Sequence, residues 1–215
     1  MTDKILETLK EKYRLEELDT KGFSKLKANG MNFNIEAYYA RGLGHVSIMK
    51  AQGFFGLMKM DTLIIVPKEK DLPLYSYDRI YAMGNDTLIV ELYDTQINKN
   101  DLSSLEDIKK EYSDLSERDP GEHWYDSIKL SESISKKAKK NDSSRFDELT
   151  IKHFKAYLNV EADIVNDKDK KLELSNNYVD GLLNQGGPST DVFIKKFSKE
   201  KTTQLFKEVL FGTGL

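Results

Sequence analysis

The stretch from Leu72 to Ile97, LPLYSYDRIYAMGNDTLIVELYDTQI, holds two β-type runs joined at Gly84-Asn85-Asp86, and the second run ends on a single carboxylate, Asp94. A carboxylate at the end of an apolar strand loses hydration unless it is paired or its pKa rises. A carboxyl group kept protonated near neutral pH is a proton donor, and that is the chemistry Asp94 offers. The same residue also reads as a strand-end acid capping the loop that begins Thr95-Gln96. Asp78, between Tyr77 and Arg79, reads as a solvent-facing or salt-bridged acid in mid-strand.

Other chemistries find less support. The chain has no cysteine, which removes disulfides, thiol nucleophiles, cysteine zinc sites and self-ligated iron–sulfur clusters. His45, His123 and His153 are scattered without metal-ligand spacing, and no serine or threonine stands in a nucleophile-elbow context. Gly42-Leu43-Gly44 is followed by no helix and reads as a turn, not a phosphate loop. A net charge of -3 gives no global case for nucleic acid or an anionic membrane. One local run, Lys136, Lys137, Lys139 and Lys140, reads either as a solvated connector or as a docking patch for an acidic partner. No apolar run approaches the roughly 20 residues of a membrane span, and MTDKILETLKEKY reads as a charged helix, not a signal peptide. The expectation is a soluble, cytoplasmic protein.

At 215 residues the chain suits a single domain, 1–215. Ile5, Leu6, Leu9, Tyr13 and Leu18 predict an amphipathic helix over 3–18. From Asn32 the texture changes to β-rich runs: NFNIEAYYA, HVSIMKAQ, FFGLMKMDTLIIVP, LYSYDRIYAM and DTLIVELYD. The connections are too short for parallel crossovers, so an antiparallel meander follows. After Asn98 helices are expected at SLEDIKKEYSDL, 144–161, LELSNNYVDGLL, DVFIKKF and KTTQLFKEVLF, with polar connectors at 98–103, 112–122, 136–143 and 163–171. Strands such as 88–94 are apolar on both faces, with Leu88, Val90 and Leu92 one way and Ile89 and Tyr93 the other. Helices therefore cover both faces, giving an α+β domain built as a three-layer α/β/α sandwich with a central antiparallel sheet. The many Met and Tyr side chains of these strands read as core, or collectively as an adaptable aromatic wall for a flat ligand.

LPLYSYDRI, a hairpin and then ELYDTQI resemble the strand pair of the ferredoxin-dependent bilin reductases. The C-terminal GPSTDVFIKKFSKEKTTQLFKEVLF resembles that family's closing segment, and SESISKK with SSRFDELTIKHFKAYL stands in order between them. The resemblance implies an open-chain tetrapyrrole such as biliverdin lying between the sheet and the C-terminal helices. Electrons would come singly from a ferredoxin (or flavodoxin) with no bound redox cofactor, and protons from acidic side chains, Asp94 foremost. It implies that Lys136 or Lys137 replaces an arginine that meets a propionate, and that Asn184 or Gln185 is the polar contact of the C-terminal loop. The glutamate and histidine used by members that reduce a vinyl group fall near Leu63 and Tyr75, Tyr75 becoming a substrate contact. The alternative is a non-catalytic tetrapyrrole binder on the same fold.

Overall fold

The computed structural model describes residues 1–139 and 143–214, with Pro188 and Ser189 described by their backbone alone. Lys140 of the basic run lies outside the described residues.

Tight turns dictate the centre of the molecule. Eight antiparallel strands form one sheet: β1 (Leu15–Leu18), β2 (Lys25–Ala28), β3 (Met31–Ala40), β4 (Gly44–Gly53), β5 (Met58–Pro67), β6 (Leu74–Ala82), β7 (Asn85–Tyr93) and β8 (Ile134–Lys139). Their order is β1-β3-β4-β5-β6-β7-β8, and β2 shares with β1 the outer edge of β3. The expected meander is β3 to β7. The turn between β6 and β7 is Met83-Gly84, with φ of 52° and 75°, the left-handed pair whose twist suits a two-residue hairpin. Asn85 and Asp86, expected in the turn, already belong to β7.

Two strands replace expected elements. The N-terminal helix α1 (Thr2–Lys12) stops short of 18 because Tyr13 turns extended, at φ -130° and ψ 140°, and Leu15–Leu18 then pair with β3. Residues 136–139, expected in a connector, belong to β8, which pairs with β7 and turns Ile134 and Lys136 inward.

Helices cover both faces. On one lie α1, α2 (Ser103–Glu111) and α3 (Ser144–Asn159); on the other lie α4 (Lys168–Gln185), α5 (Pro188–Lys196) and α6 (Lys199–Gln204), which runs on into a π-helical turn, Leu205–Leu210. The first face buries Leu63, Tyr75, Tyr77, Leu88, Val90 and Leu92 against Phe146, Leu149, Phe154 and Tyr157, each worth roughly 1.5–3 kcal/mol of transfer free energy. The second buries Phe33, Ile35, Met49, Ile64 and Tyr93 against Tyr178, Phe193, Phe206 and Leu210.

Buried polar groups fasten the layers. Arg79 and Asp86 form a two-pronged pair at 2.5 and 2.6 Å, with the guanidinium 4.8 Å from the Phe146 ring at the start of α3. Lys171 of α4 donates to Asp71 (3.0 Å) and to the carbonyls of Leu72 (2.6 Å) and Thr95 (2.7 Å). The π-helical turn ends on carbonyls that its own helix leaves without donors. His45 Nε2 donates to Val209 at 2.8 Å, and Ser47 Oγ donates to Leu210 at 2.7 Å.

Candidate active site

Because side chains alternate along a strand, every residue on the second face comes from one parity. Thr62 and Ile64 of β5, Ser76, Asp78 and Ile80 of β6, and Ile89, Glu91 and Tyr93 of β7 form the floor of a cavity of about 240 Å³. Tyr178 and Leu182 of α4, with Phe206, Leu210 and Phe211, form its roof, and Arg118, Pro120, His123 and Tyr125 its rim. An open pocket of about 510 Å³ adjoins it, sharing His123, Tyr125 and Gly187 and adding Trp124, Gln185 and Asp191.

Two acids look into this space. Asp78 accepts a hydrogen bond from Thr62 Oγ1. Burial drives its pKa up to about 6, with the negative charge of Glu91 adding to the rise and the Thr62 hydroxyl opposing it. Glu91 accepts from the Tyr93 hydroxyl at 2.6 Å. Asp78 stands opposite Ile89 in the ladder, so Glu91 is its diagonal neighbour, about 7–8 Å away across the face. Burial first, then the neighbouring Tyr178 and Glu91, hold the Tyr93 hydroxyl well above its ordinary pKa. It therefore remains a donor.

Aromatic rings flank the acids. Tyr93 stacks on Tyr178 with ring centres 4.1 Å apart and meets Tyr125 edge-on at 5.4 Å. His123 lies flat on Tyr125, at 4.8 Å and 9°. Trp124 ties this rim to the end of α4 through Nε1 to the Gly186 carbonyl at 3.0 Å. Gly181 is required beneath that indole, because a Cβ there would stand 2.2 Å from the ring. Arg118 is held at the rim by its backbone amide to Ser135 O at 2.9 Å and by its guanidinium, which donates to Ser135 Oγ at 3.4 Å.

No family model matches the chain, and no curated protein matches its sequence. Among solved structures, phytochromobilin synthase from tomato, in complex with biliverdin, matches 99% of this chain and 82% of its own, with a TM-score of 0.75 and 13% identity. The fold is that of phytochromobilin synthase. The bilin-reductase likeness read from the sequence is thus met at the level of architecture, including the helices on both faces.

On the phytochromobilin synthase fold the sequence-expected residues fall elsewhere than on the cavity. Asp94 lies one step past β7. Its amide donates to Ile128 O at 2.8 Å, its Oδ1 accepts from Gln96 at 3.2 Å, and its charge favours the buried Lys171 cation. Tyr75 is fully buried on the opposite face, with ring centres 4.7 Å from Tyr157 and 5.5 Å from Phe154. Leu63 faces the same way. Lys136 also points to that face, where its ammonium meets Glu117 and the Leu115 carbonyl. Lys137 and Asn184 are exposed and outside the cavity lining, and Gln185 lines only the adjoining pocket. None of the six expected site residues touches the cavity itself.

Residues 88, 90 and 92 pack on the α3 side, whereas Asp94, one step past the strand, lies where its charge reaches Lys171 of α4 and outside the cavity lining. The acids that do reach the cavity have the opposite relation to the core: Asp78 alternates with Tyr77 and Arg79, and Glu91 with Val90 and Leu92. Asp78 is neither solvent-facing nor salt-bridged as expected. The sequence signal for it was the polar series Ser76, Asp78 and Glu91 on otherwise apolar strands, all of one parity once β6 and β7 are set in register.

Proposed function

We propose that the chain binds a linear tetrapyrrole of the biliverdin type in this cavity and reduces it with electrons taken singly from a ferredoxin (or flavodoxin), Asp78 supplying a proton. The observation that carries the reading is a carboxyl group with a pKa raised to about 6, aimed into a cavity of a fold that phytochromobilin synthase shares. Saturating one carbon–carbon double bond takes two electrons and two protons. The partner supplies the electrons, so the protein needs no redox cofactor of its own, and its task is to hold the bilin and deliver protons. A carboxylic acid near neutral pH suits that task. Glu91 raises the proton affinity of Asp78 and, through Tyr93, extends a hydrogen-bonded route to a second proton.

The remaining cavity residues suit the ligand. Tyr93, Tyr178 and Phe211 give flat apolar surface for a conjugated chromophore, and Arg118 at the rim is placed to meet a propionate in two-pronged fashion. This arginine takes the part that the resemblance gave to Lys136 or Lys137. The adjoining pocket extends the space beyond the cavity's own volume, into the range of roughly 300–1,000 Å³ usual for ligand sites. A cytoplasmic location fits this reading, since a reduced soluble electron carrier must be at hand.

The test is spectroscopic. Biliverdin is added to the purified protein under anaerobic conditions, reduced ferredoxin is supplied, and the visible spectrum is followed. Reduction by wild type, with binding retained but turnover slowed about a hundredfold or more in Asp78→Asn, is the expected result. An induced shift without turnover in wild type selects the non-catalytic binder, and no shift at all removes the tetrapyrrole reading.

A further inference from the structure

Of the six large hydrophobic side chains exposed among the described residues, four gather at one end of the sheet: Phe54, Phe55, Leu57 and Met83. The register places them. Ala28, Met31, Gly53, Met58, Ala82, Asn85 and Lys139 are successive partners in one row straight across the sheet. Just beyond that row stand three turns: Asn29-Gly30, Phe54 to Leu57, and Met83-Gly84. The second and third are two strand spacings apart, about 10 Å, so their apolar tips form one ridge. Phe54 leans over the first turn, its ring 3.9 Å from where a Cβ on Gly30 would be.

Both the exposure and the backbone of this ridge run against ordinary preference. Phe55 is fully exposed, and Phe54, Phe55 and Met83 all take left-handed φ, of 51°, 55° and 52°. Glycine or asparagine holds such positions at less cost than a bulky side chain. The charges around the ridge have one sign. In the row and the residues just inside it, the exposed charged side chains are Lys27, Lys59 and Lys139, and the single acid among the described residues, Asp86, is buried in its pair with Arg79. A chain of net charge -3 thus presents a cationic, apolar end.

We propose that this end of the sheet docks on an anionic lipid surface. Phe54, Phe55, Leu57 and Met83 enter the headgroup boundary, and Lys27, Lys59 and Lys139 face the lipid charges. Aromatic and aliphatic tips ringed by lysine are the combination that holds a protein at such an interface. No helix among the described residues is long and apolar enough to cross a membrane, so the attachment is peripheral. The overall net charge of -3 gives no sign of this local patch. The inference is independent of what the cavity binds.

Flotation of the full chain with vesicles tests it. Wild type is expected to rise with phosphatidylcholine vesicles containing about one-third phosphatidylserine, to stay behind with phosphatidylcholine alone, and to be released by salt. Phe55→Ser and Met83→Ser, on separate turns, are each expected to lower the partition at least about tenfold, with thermal unfolding unchanged. If Phe55→Ser fails to fold, Met83→Ser decides the matter. Wild type that does not float with the anionic vesicles overturns the proposal, as does flotation that both substitutions leave intact. A dimer that either substitution dissolves, in the absence of vesicle binding, assigns the ridge to a second copy, and ferredoxin binding lost in the same variants assigns it to an acidic protein; both results overturn the lipid reading.

Discussion

The two faces of the central sheet are built from the same strands and differ in how completely they are filled. Against α1, α2 and α3 the sheet presents Tyr75, Tyr77, Leu88, Val90 and Leu92, each with no exposed surface. Against α4 and the C-terminal helices it presents Thr62, Ser76, Asp78, Ile89 and Glu91, which are shorter or polar at their tips and leave a hollow. A single sheet thus divides two duties between its faces, stability on one and a ligand-sized space on the other. Two acids illustrate the contrast: on the packed face Asp86 is neutralised by Arg79, while in the cavity Asp78 accepts from the Thr62 hydroxyl and keeps its raised pKa.

The largest effect expected from this contrast is in packing. Phe154→Ala removes a fully buried ring from the filled face and is expected to cost about 3–5 kcal/mol in denaturant unfolding. Ile89→Ala, on the cavity floor, is expected to cost about 1 kcal/mol, because part of that side chain already lacks neighbours. Equal losses would abolish the distinction between the faces.

Each face also buries a histidine whose pKa is lowered by burial to about 4: His153 beneath α3 and His45 beneath the π-helical turn. Such a group binds its proton more readily unfolded than folded. Stability is therefore whole above about pH 6.5 and is lost as pH falls through 4, by on the order of 3 kcal/mol for each ring. Acid titration of the melting temperature checks this, with His153→Gln and His45→Gln each expected to flatten part of the slope.

Asp78 has the opposite sign. Its folded pKa is raised, so its ionisation opposes folding above that value, and below the unfolded value near 3.8 the effect vanishes. Asp78→Asn is expected to stabilise the fold by about 2 kcal/mol at pH 7, less as pH falls through 6, and not at all below about 4. In the proposed reaction the same change is expected to slow turnover by about a hundredfold or more. The smallest effect belongs to Asp94→Asn, which is expected to alter turnover by less than about threefold, as befits an acid outside the cavity. A large loss there with a small one at Asp78 would return the proton to the strand end.

The sandwich was legible because its evidence is local. Short Gly-containing turns force antiparallel neighbours, and strands such as 88–93, apolar on both sides, demand two covering layers. The short strand Leu15–Leu18 was not legible, since its residues continue the helical stripe of α1 and only pairing with Ala37–Ala40 turns them extended. Nor was β8, where a run of lysines hides the alternation of Ile134 and Lys136. The site was half legible: the right strands, an acid and aromatic rings, but not the residues that line the cavity. Parity accounts for Tyr75 and Lys136, which face α3, because a shift of one residue moves a side chain from one side of a sheet to the other; Asp94 lies past the end of β7, and Asn184 and Gln185 at the end of α4. With both sides apolar, only the dense packing of Phe146, Phe154 and Tyr157 against one of them decides which can hold a ligand.

The anchoring of Val209 and Leu210 by His45 and Ser47 has a bearing on synthesis. All eight strands and the first helical layer lie within residues 1–160, so that part can assemble while later residues are still on the ribosome. The lid over the hollow is joined to β4 only when Val209 and Leu210 have emerged, some 160 residues after their partners. A nascent molecule therefore gains its strands well before the roof of the cavity is tied down.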